Sequence, residues 1–457
     1  MINPALKQSA WLLYGLSTVL AFSIGLSPAF AQADSKASAA QSAPSASYKE
    51  PLTSKQPAAL AADKSEKPKK RAARKEQKRE MKAELEALPV LAEIQKLQWE
   101  EASLNGQSND TKRIGLEKIF GETLDHSIAV KQAEVQIKDA EAQAKEIRDP
   151  NLFNLLNPLD VPALKKAAES NVLAAKAHLQ AVRQKALLDS AKMYADLTQA
   201  FLGKYLAFQS IEQGRSQLKA EQEKFIAGEN NRFDVTETQM VLIERYGKYL
   251  NADNLYRTAS LALANQISAS ADTTLVPESV ELQEGQAVVS PLKLLPDELS
   301  LGAVLRSAKT RPDMQEMNHR RDALEKLAKA ASGVDKQKKK AELHQLELEI
   351  EKAANGVSVM AEKAYGDYLV ARKSLVLAQQ NYELGNQFVY QLHVSYSAGF
   401  SSSKDLLDAQ IEMAKVKTGL IGAQVAYNLS QIQVLYEMGL LTADIFSRPI
   451  AVPSNLL

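Results

Sequence analysis

Lys224-Phe225-Ile226-Ala227-Gly228, followed by Phe233-Asp234-Val235, has a counterpart later in the chain: Tyr396-Ser397-Ala398-Gly399, followed by Asp405-Leu406. Gly399 stands 171 positions after Gly228, and the same offset carries Gln239 onto Gln410 and Tyr194-Ala195-Asp196 onto Tyr365-Gly366-Asp367. Matches at one offset, spread over about 45 residues, mark an internal duplication. The chemistry of each copy is that of a helical hairpin. Glycine supplies the left-handed residue that closes a helix, Asn230-Asn231 supply turn residues, and the aspartate favours the positive end of the helix that follows.

Working upstream from Gly228, no breaker interrupts the helical pattern back to Pro162, which suits a first turn. Sixty-odd residues at 1.5 Å each give a rod of about 95 Å. The second copy predicts an equally long helix from Asp335 to about Ser397, with Gly333 turning the chain before it and Gly356, Gly366 and Gly385 as costly interior positions. Shorter helices flank each rod. Ile114 to Arg148 reads as one helix or two abutting ones, stopped by Asp149-Pro150, and a short apolar segment, Asn151 to Pro158, follows. Phe233 or Asp234 starts a helix reaching about Ser268. Ser300 to Ala331 is helical around Arg311-Pro312, and Ser402 or Ser403 caps a final helix that ends near Gly439. Leu407, Ile411, Ala414, Thr418, Ile421, Val425, Asn428, Ile432 and Leu435 alternate four-three, the 3.5-residue period of knobs-into-holes packing. Ala409, Ala423 and Ala426 extend a close-packing surface to a second side. The fold class is therefore all-α: two tandem repeats of long antiparallel coiled-coil-like helices, with at most a few short strands such as Thr274-Leu275-Val276 and Ala287-Val288-Val289.

Composition agrees. Residues are 45% hydrophobic but only 6% aromatic, which suits Ala- and Leu-rich helices. A formal net charge of +1 names no partner, and the absence of cysteine excludes disulfide and thiolate chemistry. Lys7, the apolar run Ala10 to Leu26 and Ala29-Phe30-Ala31 predict a cleaved signal peptide over 1–31 rather than an anchor. Residues 32–88 form a disordered arm rich in Ser, Ala, Pro and Lys, with a basic run from Lys64 to Lys82. That run is either a solvated arm entering a short helix that Pro89 ends, or a segment seeking anionic surfaces of the envelope. Nucleic acid is not an expected partner of an exported chain. The remaining domains are a first helical repeat over 89–270, a linker over 271–299, a second repeat over 300–440 and a tail over 441–457.

This order of motifs resembles the outer-membrane efflux (TolC-like) family. The residues that carry the resemblance are Lys224 to Gly228 with Phe233-Asp234-Val235, and Tyr396 to Gly399 with Asp405-Leu406-Leu407-Asp408-Ala409-Gln410. Arg311-Pro312-Asp313 resembles the family's second-repeat opening, and His126-Ser127-Ile128 stands at the equivalent place in the first. About 70% of the chain is covered. The resemblance implies a homotrimer whose repeats each give one long helix beside two shorter stacked ones, closing a twelve-helix periplasmic barrel. It implies a place in the periplasm associated with the outer membrane, within a tripartite efflux or type I secretion system. Its partners would be a periplasmic adaptor (membrane fusion) protein and, through it, an inner-membrane transporter. The adaptor-docking tips would be Ala227, Gly228, Phe233, Asp234, Ala398, Gly399 and Asp405; plain turn chemistry accounts for the same residues. Lys404 stands where Phe233 stands in the first tip, so the two tips are not equivalent.

The sequence departs from the family in one respect. The family inserts two membrane strands between each repeat's short helix and its rod, and a membrane hairpin needs about 25 residues. Eleven residues separate Pro150 from Pro162 and three separate Ala331 from Asp335. A spanning barrel is not expected. Nor is an enzyme. His126, His178, His319, His344 and His393 lack metal-ligand spacing, no phosphate-binding or nucleophile-elbow motif occurs, and no cofactor is implied. Glu347, Glu349 and Glu351 read as solvated-face residues, and Tyr194, Tyr365 and Tyr368 as packing. Two functions stay open at this point: a conduit or docking piece of a transport assembly, or a structural or regulatory coiled-coil protein derived from the same family.

Overall fold

A computed structural model describes residues 75–76, 79, 89–98, 111–147, 161–229, 231–270, 273–283, 286–398, 400–401 and 403–446, all within one compact unit, Ser65–Leu457. The expected signal peptide, most of the basic run, the segment Asn151 to Pro158, Gly399 and the last part of the tail lie outside the described residues.

The duplication is visible in the element bounds. The first repeat has α2 (Leu116–His126), α3 (Ile128–Glu146), α4 (Val161–Ala227) and α5 (Arg232–Gln266); the second has α6 (Leu301–Ala308), α7 (Pro312–Ala330), α8 (Gly333–Ser397) and α9 (Ser403–Glu437). Between them lie β2 (Thr274–Pro277), β3 (Val280–Gln283) and β4 (Gln286–Val289); α1 (Pro89–Lys96) and β1 (Thr111–Ile114) precede the first repeat, and a 3-10 turn (Ala443–Phe446) follows the second. Bounds of α5 and α9 match at an offset of 171, whereas those of α3 and α7 match at 184. The change of offset falls between the short helix and the rod, where residues 148–160 have no counterpart in the second repeat. There α7 passes into α8 through Ala331 and Ser332 alone, so no membrane strand stands at that junction. About 13 residues in the first repeat are also too few for a spanning hairpin.

The helices pack as a layer one helix thick. Helix α4 lies between α3 and α5 on one side and α7 and α9 on the other, and α8 packs on the far side of α7 and α9. The result is four lanes: α3 stacked over α5, then α4, then α7 stacked over α9, then α8. Both repeats close their rod on its short partner at a glycine. A Cβ on Gly214 would come within 2.9 Å of Leu242, and one on Gly385 within 2.8 Å of Met413. These residues also pair at the 171 offset, so Gly385 is retained for close approach. The seam expected on α9 is buried at Ile421, Val425, Ile432 and Leu435, while Ala409 and Met413 take over nearer the tip; Ala426 is exposed.

At mid-height β1 pairs in parallel with β2, and β3 antiparallel with β4. Tyr256 donates to the Leu275 carbonyl at 2.9 Å and Ser260 accepts from the Leu275 amide at 2.8 Å, tying β2 to α5. The strands pack into a core with Leu197, Phe201, Tyr256 and Leu263; a larger core joins Phe120, Leu187, Val304, Met314, Leu435 and Met438.

Pro89 opens helix α1, in the first-turn position proline prefers, where the sequence reading had it end one. Leu91 and Ile94 are fully buried against Ile211, Leu218, Val235 and Leu242 of the α4–α5 pair. Arg215 donates to the carbonyls of Ile94 and, at 2.7 Å, Leu97, satisfying groups that a helix C-terminus leaves without partners. Burying two such side chains contributes about 1.5–3 kcal/mol each. The pair Leu91→Asp and Ile94→Asp is therefore expected to release α1 and leave the rods intact. Hydrogen exchange should show protection lost over 89–98 and retained over 161–227; retained protection at 89–98 would refute the docking.

Candidate functional site: the two helical turns

The α4–α5 turn is built by caps at both ends. Gly228 has φ +81°, the left-handed conformation that closes a helix with glycine. The amide of Gly228 donates to Phe225 at 3.0 Å and that of Glu229 to Lys224 at 3.0 Å. Asn231 then caps α5: its side chain accepts from the Asp234 amide at 3.1 Å, and Asp234 accepts from the Asn231 amide at 3.2 Å. Asp234 is thus a member of a reciprocal capping box. Ala227 is exposed, and Phe233 is 72% exposed with its ring in solvent.

The α8–α9 turn follows the same plan. The Ala398 amide donates to Val394 at 3.0 Å and the Phe400 amide to Ser395 at 2.9 Å. Ala398 and Asp405 are exposed, Asp405 in the first turn of α9. Phe400 is 86% exposed. At the 171 offset Lys404 stands against Phe233, so the sequence alone gives Phe400 no aromatic counterpart. Both turns carry an exposed phenylalanine, one after its turn and one within it; the signal was the unpaired ring in a stretch of Gly and Ser.

The two turns also communicate. The Lys224 ammonium donates to the Tyr396 hydroxyl, lies 4.7 Å from the centre of that ring and pairs with Glu221 at 3.2 Å. Burial pulls the Lys224 pKa down, but the Tyr396 and Glu221 contacts outweigh it and raise it overall, so the lysine is charged at neutral pH. Rods α4 and α8, separated by the α9 lane along most of their length, are therefore linked at their tips.

Both edges of the layer carry exposed apolar residues. On α5, Met240, Leu250 and Leu261 are exposed, and on α8, Leu348, Val359, Val376 and Leu377 are exposed. Most of their equivalents in the other repeat are buried. Leu250 is 50% exposed where Ile421 is 4%, Leu261 43% where Ile432 is 2%, Leu348 53% where Ala177 is 7%, and Val359 65% where Leu188 is 5%. Positions that face a neighbouring lane inside one repeat face solvent at the edge of the other.

Among the described residues, no group of His, Asp and Glu gathers to hold a metal. Tyr194 donates to Ser279 at 2.8 Å, Tyr365 to the Leu299 carbonyl at 2.8 Å, and Tyr368 is buried between Tyr365 and Tyr427. All three act in packing. His178 lies 2.9 Å from Glu316, joining α4 to α7.

No protein-family model and no curated protein matches the sequence. Solved structures do match. The Campylobacter jejuni CmeC outer membrane channel is 12% identical with a TM-score of 0.57, the match covering 71% of this chain and 85% of that one. The open-state Neisseria gonorrhoeae MtrE outer membrane channel is 16% identical at 0.55, over 71% and 89%. The Vibrio cholerae outer membrane protein VceC is 16% identical at 0.54, over 71% and 96%. Paired helical repeats, four lanes and capped tips together give this chain the fold of the TolC-like outer-membrane efflux channels, with the two repeats' rods following their short helices too closely for membrane strands.

Proposed function

We propose that the protein is a periplasm-facing component of a tripartite efflux or type I secretion system, serving as a helical conduit or docking piece. In this reading residues 1–31 are removed on export, three copies close a ring, and the turns at Ala227, Gly228, Phe233 and Asp234 and at Ala398, Gly399 and Asp405 receive a periplasmic adaptor protein. That adaptor connects the ring to an inner-membrane transporter. The observation that carries the reading is the layer with two apolar edges. A solid bundle buries its apolar faces within one chain, whereas four lanes whose exposed edge residues match buried ones need further copies. The comparison with CmeC, MtrE and VceC supports the same assembly. The rival, a structural coiled-coil protein, has no use for two exposed phenylalanines at capped turns.

The test is capture of the adaptor. A photo-crosslinking residue at Phe233 or Phe400 should trap a protein of the membrane-fusion class, and the double variant Phe233→Ala, Phe400→Ala should cut capture about tenfold or more, as loss of exposed aromatic anchors does at interfaces. Failure to trap any adaptor, together with wild-type drug tolerance in a deletion strain, would sink the proposal.

A further inference from the structure

The end of the layer opposite the tips bears lysines. Lys165 and Lys166 lie in the first turns of α4, Lys336, Lys338 and Lys340 in those of α8, and all five are exposed. The two groups share one end, because Lys326 of α7 donates to Ser170 of α4 at 2.7 Å and to the Lys166 carbonyl at 3.4 Å. Helical side chains lean toward their own N-terminus, so these five ammonium groups lean outward over the end. Carboxylates nearby are engaged: Glu325 pairs with Lys329 at 2.6 Å, Glu342 with Lys339 at 2.7 Å and Glu141 with Lys176 at 3.4 Å. Asp335, in the first turn of α8, and Glu169, one turn from Lys165 on α4, are exposed acidic groups set among the lysines. Lys336, Lys338 and Lys340 form no ion pair among the described residues. At the apex Val334 is 69% exposed beside Gly333, where α7 turns directly into α8.

We propose that this lysine-bearing end is a docking surface for an anionic phospholipid bilayer, holding the protein peripherally at the membrane face. The proposal rests on the envelope location proposed above. Charge complementarity selects the partner: flexible ammonium groups spread over a blunt end suit a fluid layer of phosphate headgroups, and one exposed valine suits shallow contact. Attachment through ammonium groups is electrostatic and is weakened by salt.

Flotation of the purified protein with vesicles tests this. Vesicles of phosphatidylethanolamine with phosphatidylglycerol should carry the protein at low salt and release it at high salt; zwitterionic vesicles should not carry it. The variant K336Q/K338Q/K340Q should partition about 100-fold more weakly, while neutralising Lys69, Lys70 and Arg71 in the basic arm should leave most binding intact. Loss of binding only in the arm variant overturns the proposal, as does equal binding to zwitterionic vesicles, or retention of the protein on a soluble polyanion without flotation. Oligomeric state, measured in the same samples by light scattering, reports separately on the ring, so failure of lipid binding and failure of the conduit reading are distinguishable.

Discussion

The variant carrying Leu250→Asp on α5 and Val359→Asp on α8 is expected to be a folded monomer under conditions where the unaltered chain closes the proposed ring of three. Leu250 and Val359 belong to opposite edges of the layer, and their repeat equivalents Ile421 and Leu188 are 4% and 5% exposed within it. If the lanes continue into the next copy with the same packing, α5 meets the neighbour's α8 as α9 meets α4 inside one copy. Each residue then passes from half-exposed to buried on assembly, about 1.5–3 kcal/mol per side chain. An aspartate at either place would be buried without a partner, at a cost of several kcal/mol per junction, and a ring repeats that cost three times. The fold of the single chain should survive, since both positions are exposed in it. Light scattering after size exclusion reads the outcome. Leu173→Asp is the control: Leu173 is 48% exposed on α4, an interior lane, and its variant should stay trimeric. Trimers from the edge variant, or monomers from the unaltered chain at micromolar concentration, would overturn ring closure by these edges.

Equivalent positions in the two repeats differ in how much of their structure the sequence encodes. Rods, turns and their order were legible because they rest on local chemistry: a left-handed Gly228, an Asn231–Asp234 capping box, and the absence of Gly or Pro pairs inside α4. The 171-residue offset was legible because the hairpins repeat their residues at the turns. The second part of the duplication, at an offset of 184 between α3 and α7, was harder to read, because those helices share few residues: Glu141, Ala144 and Lys145 stand on Glu325, Ala328 and Lys329, away from any turn motif. Helix α1 was also missed. Its two buried side chains, Leu91 and Ile94, make an apolar pair too short to set a period, and their partner groove is formed by residues about 120 to 150 positions away. The candidate site divides the same way. Gly228 and Asp234 announce themselves by conformation, whereas the Lys224–Tyr396 contact and the exposure of Phe400 depend on how two hairpins are set side by side, which no single stretch encodes.

Replacing Arg311 by Met is expected to cost about 3–5 kcal/mol of stability, the range for stripping one partner from a buried ion pair. Arg311 immediately precedes α7; it donates to Glu437 at the end of α9 and makes two bonds to Asp313, at 3.1 and 2.8 Å, with its guanidinium 5.0 Å from the Tyr436 ring. Burial opposes its charge, but Asp313 and Glu437 outweigh burial and hold its pKa above the ordinary value. This cluster joins the two stacked helices of one lane, so the lane is continuous only while the charges are matched. Glu437 is the group left exposed to the loss: burial already pushes its carboxyl up, with Arg311 pulling it back. Without Arg311 the carboxyl rises further above its unfolded value. An acid raised in the folded state stabilises the fold when protonated, and that contribution is lost as pH rises through the folded pKa. The R311M deficit should therefore be smaller near pH 4.5 than near pH 8, as urea midpoints at the two values would report. Adding Glu437→Gln should remove most of this pH dependence and recover part of the stability, because a neutral amide costs less to bury than a lone carboxylate. A deficit that is the same at both pH values, and unchanged by the second substitution, would mean that Arg311 holds the lane through its stacking on Tyr436 and not through charge.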